Sequence, residues 1–172
     1  MVGMKRLLLA AFMFLCTYVV YAQSSICGVP FGQSLEVAER LLELKYGEPN
    51  KTTYNSLQYE DISYGGYYFD YADFYFQADV NGTYFNECLF MSFYDSFETA
   101  KVRRESLKQT LSESYDNIIS YKNEQGFICY SLGESPVNDE YYGIFVKVGR
   151  IKSGRYFVAL QYGPYDYVKE GF

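Results

Sequence analysis

Residues 64–76 read YGGYYFDYADFYF, eight aromatic rings in thirteen positions, and a second ring-rich stretch follows at 83–94. β-favouring residues at this density, alternating with polar ones, demand strands. What remains open is whether the rings fill a core or grip a ligand. Asn81-Gly82 lies between the two stretches and readily takes the positive φ angles of a two-residue hairpin turn. A turn centred there pairs Ala78 with Phe85, Phe74 with Leu89 and Ala72 with Met91, an apolar face suited to packing under helices. The other face then carries Asp73 with Phe90, Tyr75 with Cys88, Gln77 with Asn86 and Asp79 with Tyr84. Most of the rings are therefore structural, and Asp73, Tyr75, Asp79, Tyr84 and Phe90 form the candidate binding patch on the polar and aromatic side. Glu87, opposite Phe76, breaks the pattern. Phe69 and Tyr71 fall in the phase of Asp73, whereas Asp70 falls in that of Phe74, so the alternation predicts a β-bulge or sharp bend near 70–72. Gly65-Gly66 marks a turn just before it.

Two helices frame these strands. In GVPFGQSLEVAERLLELKYGEP, Ser34 is the expected N-cap, Gly47 and Pro49 end the helix, and Val37, Ala38, Leu41 and Leu42 form one stripe. In YDSFETAKVRRESLKQTLSESYDN, Asp95 and Glu98 have capping-box spacing and Phe97, Ala100, Leu107 and Leu111 recur every three to four residues. Ser34-Leu35-Glu36-Val37-Ala38 aligns with Ser96-Phe97-Glu98-Thr99-Ala100, and strand-like segments follow each. They lie near 52–60, 67–79 and 83–94, then near 118–122, 127–132, 141–149 and 155–162. The expectation is an α+β fold of two tandem helix-then-antiparallel-strands units, about α-β3-α-β4, over 23–94 and 95–172, as two modules or one fused domain, with the helices packed on one face of the antiparallel sheet.

Lys5 and Arg6 precede an apolar stretch from Leu7 to Val20 that ends near small Ala22, the pattern of a secretory signal peptide over 1–22. An exported protein, periplasmic or extracellular, is expected; Phe14 and Leu15 before Cys16 are bulkier than lipoprotein signals usually carry, which argues against a lipid anchor. Removing the leader leaves 15 − 2 = 13 basic against 21 acidic side chains, a net charge of −8. That sign, without a Lys/Arg cluster, disfavours nucleic acid. Cys27, Cys88 and Cys129 remain, and their wide spacing matches neither a zinc site nor a CxxC pair. Export permits one disulfide, 27–88, 27–129 or 88–129, or all three are small buried apolar groups.

The chain has no histidine, which removes Ser-His-Asp and Cys-His nucleophiles, His-ligated zinc and imidazole proton transfer. No Ser-x-x-Lys opens a helix, and no phosphate loop occurs. Carboxylate pairs that glycoside hydrolysis would use are Asp70 with Asp73, Glu60 with Asp61, and Glu134 with Asp139. Glu134, Asn138, Asp139 and Glu140 gather in GESPVNDEYYG without the spacing of a calcium loop. Tyrosine-rich strands also fit carbohydrate, with Tyr75 and Tyr84 as the platform, although the chain has no Trp. No catalytic residue, metal or cofactor is assigned.

The run GVPFGQSLEVAERLLELKYGEP, the strands carrying YGGYYFDYADFYFQ, and SFETAKVRRESLKQTLSESYD together resemble small uncharacterised exported bacterial proteins. The helix-and-strand order over 28–162 is also similar to the tandem modules of the β-lactamase-inhibitor-protein fold and to the single module of the SmpA/OmlA outer-membrane assembly lipoproteins. The resemblance implies a non-catalytic protein-binding module of the cell envelope or the exterior; the chain departs from the lipoproteins in lacking a lipid-bearing cysteine. The expected function is therefore binding, with another protein as partner and a carboxylate-dependent glycan hydrolase or carbohydrate-binding module as the alternative.

Overall fold

The computed structural model describes residues 25–79, 82–134 and 141–165. The expected leader lies outside them, as do Asn138, Asp139 and Glu140 and the side chains of Asp79 and Glu134. In chain order the elements are β1 (Ser25–Ile26), β2 (Val29–Pro30), α1 (Leu35–Tyr46), β3 (Lys51–Thr52), β4 (Ser56–Tyr64), β5 (Tyr67–Asp79), β6 (Gly82–Tyr94), α2 (Phe97–Ser112), β7 (Ile118–Lys122), β8 (Ile128–Glu134), β9 (Tyr141–Arg150) and β10 (Tyr156–Tyr162). No helix among the described residues is long and apolar enough to cross a membrane.

The helices start where side-chain chemistry allows. Ser34 Oγ accepts from the Val37 N–H at 3.5 Å and Ser96 Oγ from the Thr99 N–H at 3.2 Å, each supplying an acceptor to an otherwise orphaned donor. The cap of α2 is Ser96 and not Asp95. Ala38 and Ala100, four residues after their caps, are fully buried. Leu42 and Leu107 continue the buried stripes, and Arg104 joins the second, buried although it is charged. Its guanidinium donates to the Ile128 carbonyl at 2.7 Å and to Glu105 Oε1 at 3.0 Å, and it lies over the Tyr130 ring. Partners of this kind let a charge leave water.

Strands β3–β10 make one antiparallel sheet of eight, in the order β3-β4-β5-β6-β10-β9-β8-β7. This corrects the expected fold class: the described residues are mostly β, 52% of them in strands, in one continuous main sheet and not an α+β pair of tandem helix-plus-strand units. The last strand, β10, returns to the middle and pairs along its whole length with β6, from Tyr156↔Tyr94 to Tyr162↔Cys88. Two separate sheets would each leave an edge there, and the pairing satisfies both rows of backbone donors and acceptors. Periodicity reveals that a strand exists but not which distant strand completes it.

Two rows across the sheet form its helix-side face. One runs Leu57, Phe74, Cys88, Tyr162, Ile144, Leu132 and Ile118; the other runs Tyr59, Ala72, Phe90, Leu160, Val146, Tyr130 and Ser120. α1 touches β2, β4 and β6, and α2 touches β6, β9 and β10. Phe90 stacks on Tyr64 with centroids 4.5 Å apart and tilts against Phe69 at 5.1 Å. Phe85 stacks on Phe31 at 4.7 Å, which seats the N-terminal hairpin. Most of the ring density is therefore spent on one core.

The β5–β6 register differs from the one that an Asn81-Gly82 turn centre predicts. Gly82 already pairs with Asp79, so the pairs are Ala78↔Thr83, Gln77↔Tyr84 and Phe76↔Phe85. A shift between Tyr75 and Phe76 then leaves Asn86 as an extra residue, and the pairs continue as Tyr75↔Glu87, Phe74↔Cys88, Asp73↔Leu89 and Ala72↔Phe90. The bulge has a tertiary use. The Asn86 carbonyl accepts the Tyr165 N–H at 3.0 Å, and a Cβ on Gly163 would come within 2.3 Å of that oxygen, so the chain leaving β10 passes directly over it.

The expected slip near 70–72 is present as a change of burial phase. Phe69 is buried, Asp70 and Tyr71 are half-buried, and Ala72 and Phe74 are buried. β4 makes the same change opposite: Leu57 and Tyr59 are buried, then Ile62, with Asp61 between them at φ 56°. Both strands slip together, which is why the β4–β5 register stays unbroken. The Asp70 carboxylate accepts the Phe93 N–H at 2.7 Å where the β5–β6 ladder stops. Gly65 and Gly66 form the expected β4–β5 turn at φ 58° and 78°.

Candidate functional site: the uncovered face of the sheet

Alternation fixes what the other face displays. One row crosses all eight strands as Lys51, Gln58, Asp73, Leu89, Gln161, Phe145, Ser131 and Ile119. The neighbouring row holds Glu60, Tyr71, Met91, Ala159 and Lys147. On the far side of Asp73 lie Ser56, Tyr75 and Glu87. Tyr46 of α1 meets the Tyr59 ring and Arg104 of α2 lies over Tyr130, both in the opposite face's rows, so no described helix is seen to cover these residues. Tyr71, Tyr75, Leu89, Met91 and Phe145 are half-buried and Ile119 is 45% exposed. A contiguous apolar and aromatic surface of this kind is uncommon unless something covers it.

A hydrogen-bonded network threads the rings. Lys147 Nζ donates to Gln161 Oε1 at 2.5 Å, and Gln161 Nε2 donates to Glu87 Oε1 at 2.7 Å. Gln58 Nε2 donates to Asp73 Oδ1 at 2.8 Å. Asp73 and Gln161 are each only 8% exposed. Asp73 faces Leu89 and Glu87 faces Tyr75, so the two carboxylates are diagonal neighbours on one face. Burial pushes the Asp73 carboxyl above its usual range, while bonds from Gln58 and Tyr75 and the charge of Lys51 pull it back. Burial likewise raises Glu87, opposed by Lys147 and the Gln161 bond. Tyr75 is raised by burial and then by the charges of Asp73 and Glu87. These carboxylates are held at a cost, as functional groups frequently are.

At the slip, Glu60, Asp61, Asp70, Tyr71, Phe93 and Arg155 line a hollow of about 260 Å³. Tyr68 donates a short hydrogen bond to the Asp61 carboxylate, and Arg155 pairs with Asp95 at 3.2 Å and lies over the Phe93 ring.

Of the five patch residues expected from the sequence, the structure brings Asp73 and Tyr75 together on the uncovered face. Phe90 is fully buried on the helix side, and Tyr84 is only 7% exposed beside the bridge from Ser34, so neither offers a surface. The Asn86 bulge moved Phe90; Tyr84, paired with Gln77 ahead of the bulge, keeps the face expected of it and is buried there. The same shift brings Glu87, Leu89 and Met91 to this face, residues that the turn-centred register had assigned elsewhere. Glu87 was visible as the polar residue that fitted no pattern. Of the paired acids, Glu60, Asp61 and Asp70 meet at the hollow while Asp73 belongs to the network; Asp139 lies outside the described residues.

Cys27, Cys88 and Cys129 are free, buried thiols. Cys88 lies in the helix-side row, whereas Cys129, two residues from Ser131 along β8, points to the other face three strands away. Cys27 Sγ accepts the Tyr46 hydroxyl at 3.2 Å. No protein-family model, curated protein or solved structure matches the chain.

Proposed function

We propose that the protein is a non-catalytic binding module, exported from the cell, whose uncovered sheet face docks another protein. The single observation that supports this reading is the face itself: Tyr71, Tyr75, Leu89, Met91 and Phe145 half-buried side by side on a sheet whose two described helices both lie behind it. Aromatic residues and methionine are the types enriched where proteins meet. A second copy of the chain is a poor occupant, because the chain carries a net charge of −6 and two such faces would set Asp73 and Glu87 against their own copies. Of the two tyrosines offered as a sugar platform, Tyr84 is only 7% exposed, which leaves Tyr75, and an isolated ring is a weak platform.

The test is position-specific photocrosslinking in the producing cell. A photoreactive phenylalanine analogue at Tyr71 or Phe145 should yield one defined protein adduct, absent when the analogue replaces Leu44, which is 87% exposed on α1. Met91→Arg, on the same face, should remove the adduct. Equal labelling from Leu44, or indifference to Met91→Arg, would refute the proposal.

A further inference from the structure

We propose that the partner meets this face with Lys or Arg side chains set against Asp73 and Glu87, and that the contact is released as the medium turns acid. The inference rests on the docking reading above and adds the partner's chemistry and its control.

Three features carry it. First, the β4–β6 half of the sheet, with its hollow, presents Glu60, Asp61, Asp70, Asp73 and Glu87. The cations near it are Lys51 at the β3 edge, Arg155 tied to Asp95, and Lys147 engaged with Gln161. The excess is negative and sits among rings, a combination that suits a cation by charge and by its attraction to ring faces.

Second, the carboxylates are already oriented. Gln58 fixes Asp73 and Gln161 fixes Glu87, each by one neutral amide donor, and the nearby charges of Lys51 and Lys147 offset the two carboxylates only in part. A guanidinium or ammonium brought over them forms charge-assisted bonds without first ordering its acceptors.

Third, the same placement makes the charges conditional. Glu87 is surrounded by Tyr75 from β5, Lys147 from β9 and Gln161 from β10, and Asp73 by Lys51 from β3, Gln58 from β4 and Tyr75. Burial outweighs these partners at both sites and raises both carboxyls, so they take up protons at a higher pH than exposed acids do. Protonation removes the counter-charge and leaves a cation buried opposite a neutral acid, so affinity falls as pH falls through the raised values.

Peptide selection tests this without knowledge of the partner. A random twelve-residue library is selected on the immobilised protein at pH 7.5, and the winners are mapped by NMR shift changes on the ¹⁵N-labelled chain. The expected winners carry Lys or Arg between apolar residues and perturb Asp73, Tyr75, Glu87 and Leu89. They weaken at least tenfold at pH 4.5 and at least tenfold for Asp73→Asn with Glu87→Gln at pH 7.5. Winners that map to this face but are neutral or acidic, or that bind equally at both pH values, overturn the inference and leave the docking reading standing. Winners that map elsewhere overturn both. Arg40→Gln, in an exposed pair with Glu36 on α1, is the control and should leave binding unchanged.

Discussion

Leu89 and Phe90 are adjacent in β6 and point to opposite faces, and a β5–β6 ladder without the bulge at Asn86 would exchange their roles. Truncating each in turn separates the two registers. Phe90→Ala removes a ring stacked on Tyr64 at 4.5 Å and tilted on Phe69 at 5.1 Å, at a fully buried site between Ala72 and Leu160 in its row. Deleting a buried phenylalanine costs about 3–5 kcal/mol, the cavity included. Leu89→Ala trims a half-buried side chain and should cost about 1 kcal/mol or less. With a urea slope of about 2 kcal/mol/M, the midpoint should fall by about 2 M for Phe90→Ala and by about 0.5 M for Leu89→Ala. The chain has 21 tyrosines and no tryptophan, so unfolding is followed by tyrosine fluorescence and far-ultraviolet circular dichroism. If Phe90→Ala does not fold, Phe90→Leu at about 1.5 kcal/mol supplies the comparison. A midpoint shift for Leu89→Ala as large as that for the Phe90 variant would refute the register and the face assignment built on it.

Glu87→Gln should leave the protein as stable or more stable at pH 7, because it removes a carboxylate that burial disfavours while keeping an acceptor for Gln161. Since the folded-state value is raised, the wild type gains stability as pH falls through it, and the variant's advantage should shrink between pH 7 and 4; an advantage that grows on acidification would contradict the sign. Native Cys27, Cys88 and Cys129 should resist alkylation at pH 8 and react once urea unfolds the chain, read by mass mapping of the labelled peptides, because all three are buried and burial pushes the Cys27 and Cys88 thiols up. Rapid native labelling of any one would show its burial to be wrong. Arg104→Ala should cost about 2–3 kcal/mol in the same urea assay, by stranding the Ile128 carbonyl, whereas the exposed Val102→Ala should be near neutral; equal effects would remove Arg104 from the core. Gly163→Ala should lower the midpoint by more than 1 M, since a Cβ would meet the Asn86 carbonyl at 2.3 Å; no change would mean that the segment does not cross the bulge.

Much of this protein was legible one segment at a time. Ser34 and Ser96 start helices because a hydroxyl can accept an orphaned N–H, Gly65-Gly66 turns because both residues can take positive φ, and the ring-rich stretches are strands because their side chains alternate. The phase conflict around Asp70 announced the slip between Phe69 and Ala72, although its counterpart at Asp61 was visible only across the β4–β5 pair. Local chemistry acts within a few residues, and within that range the chain states its own structure. Which strand closes on which is another matter. The pairing of β10 with β6 joins residues more than sixty positions apart and converts two expected units into one sheet, and the bulge at Asn86 exists to let the chain after β10 pass. That single extra residue sent Phe90 inward and brought Glu87 and Leu89 out, so the membership of the candidate surface was settled by contacts with a distant segment that no local alternation contains.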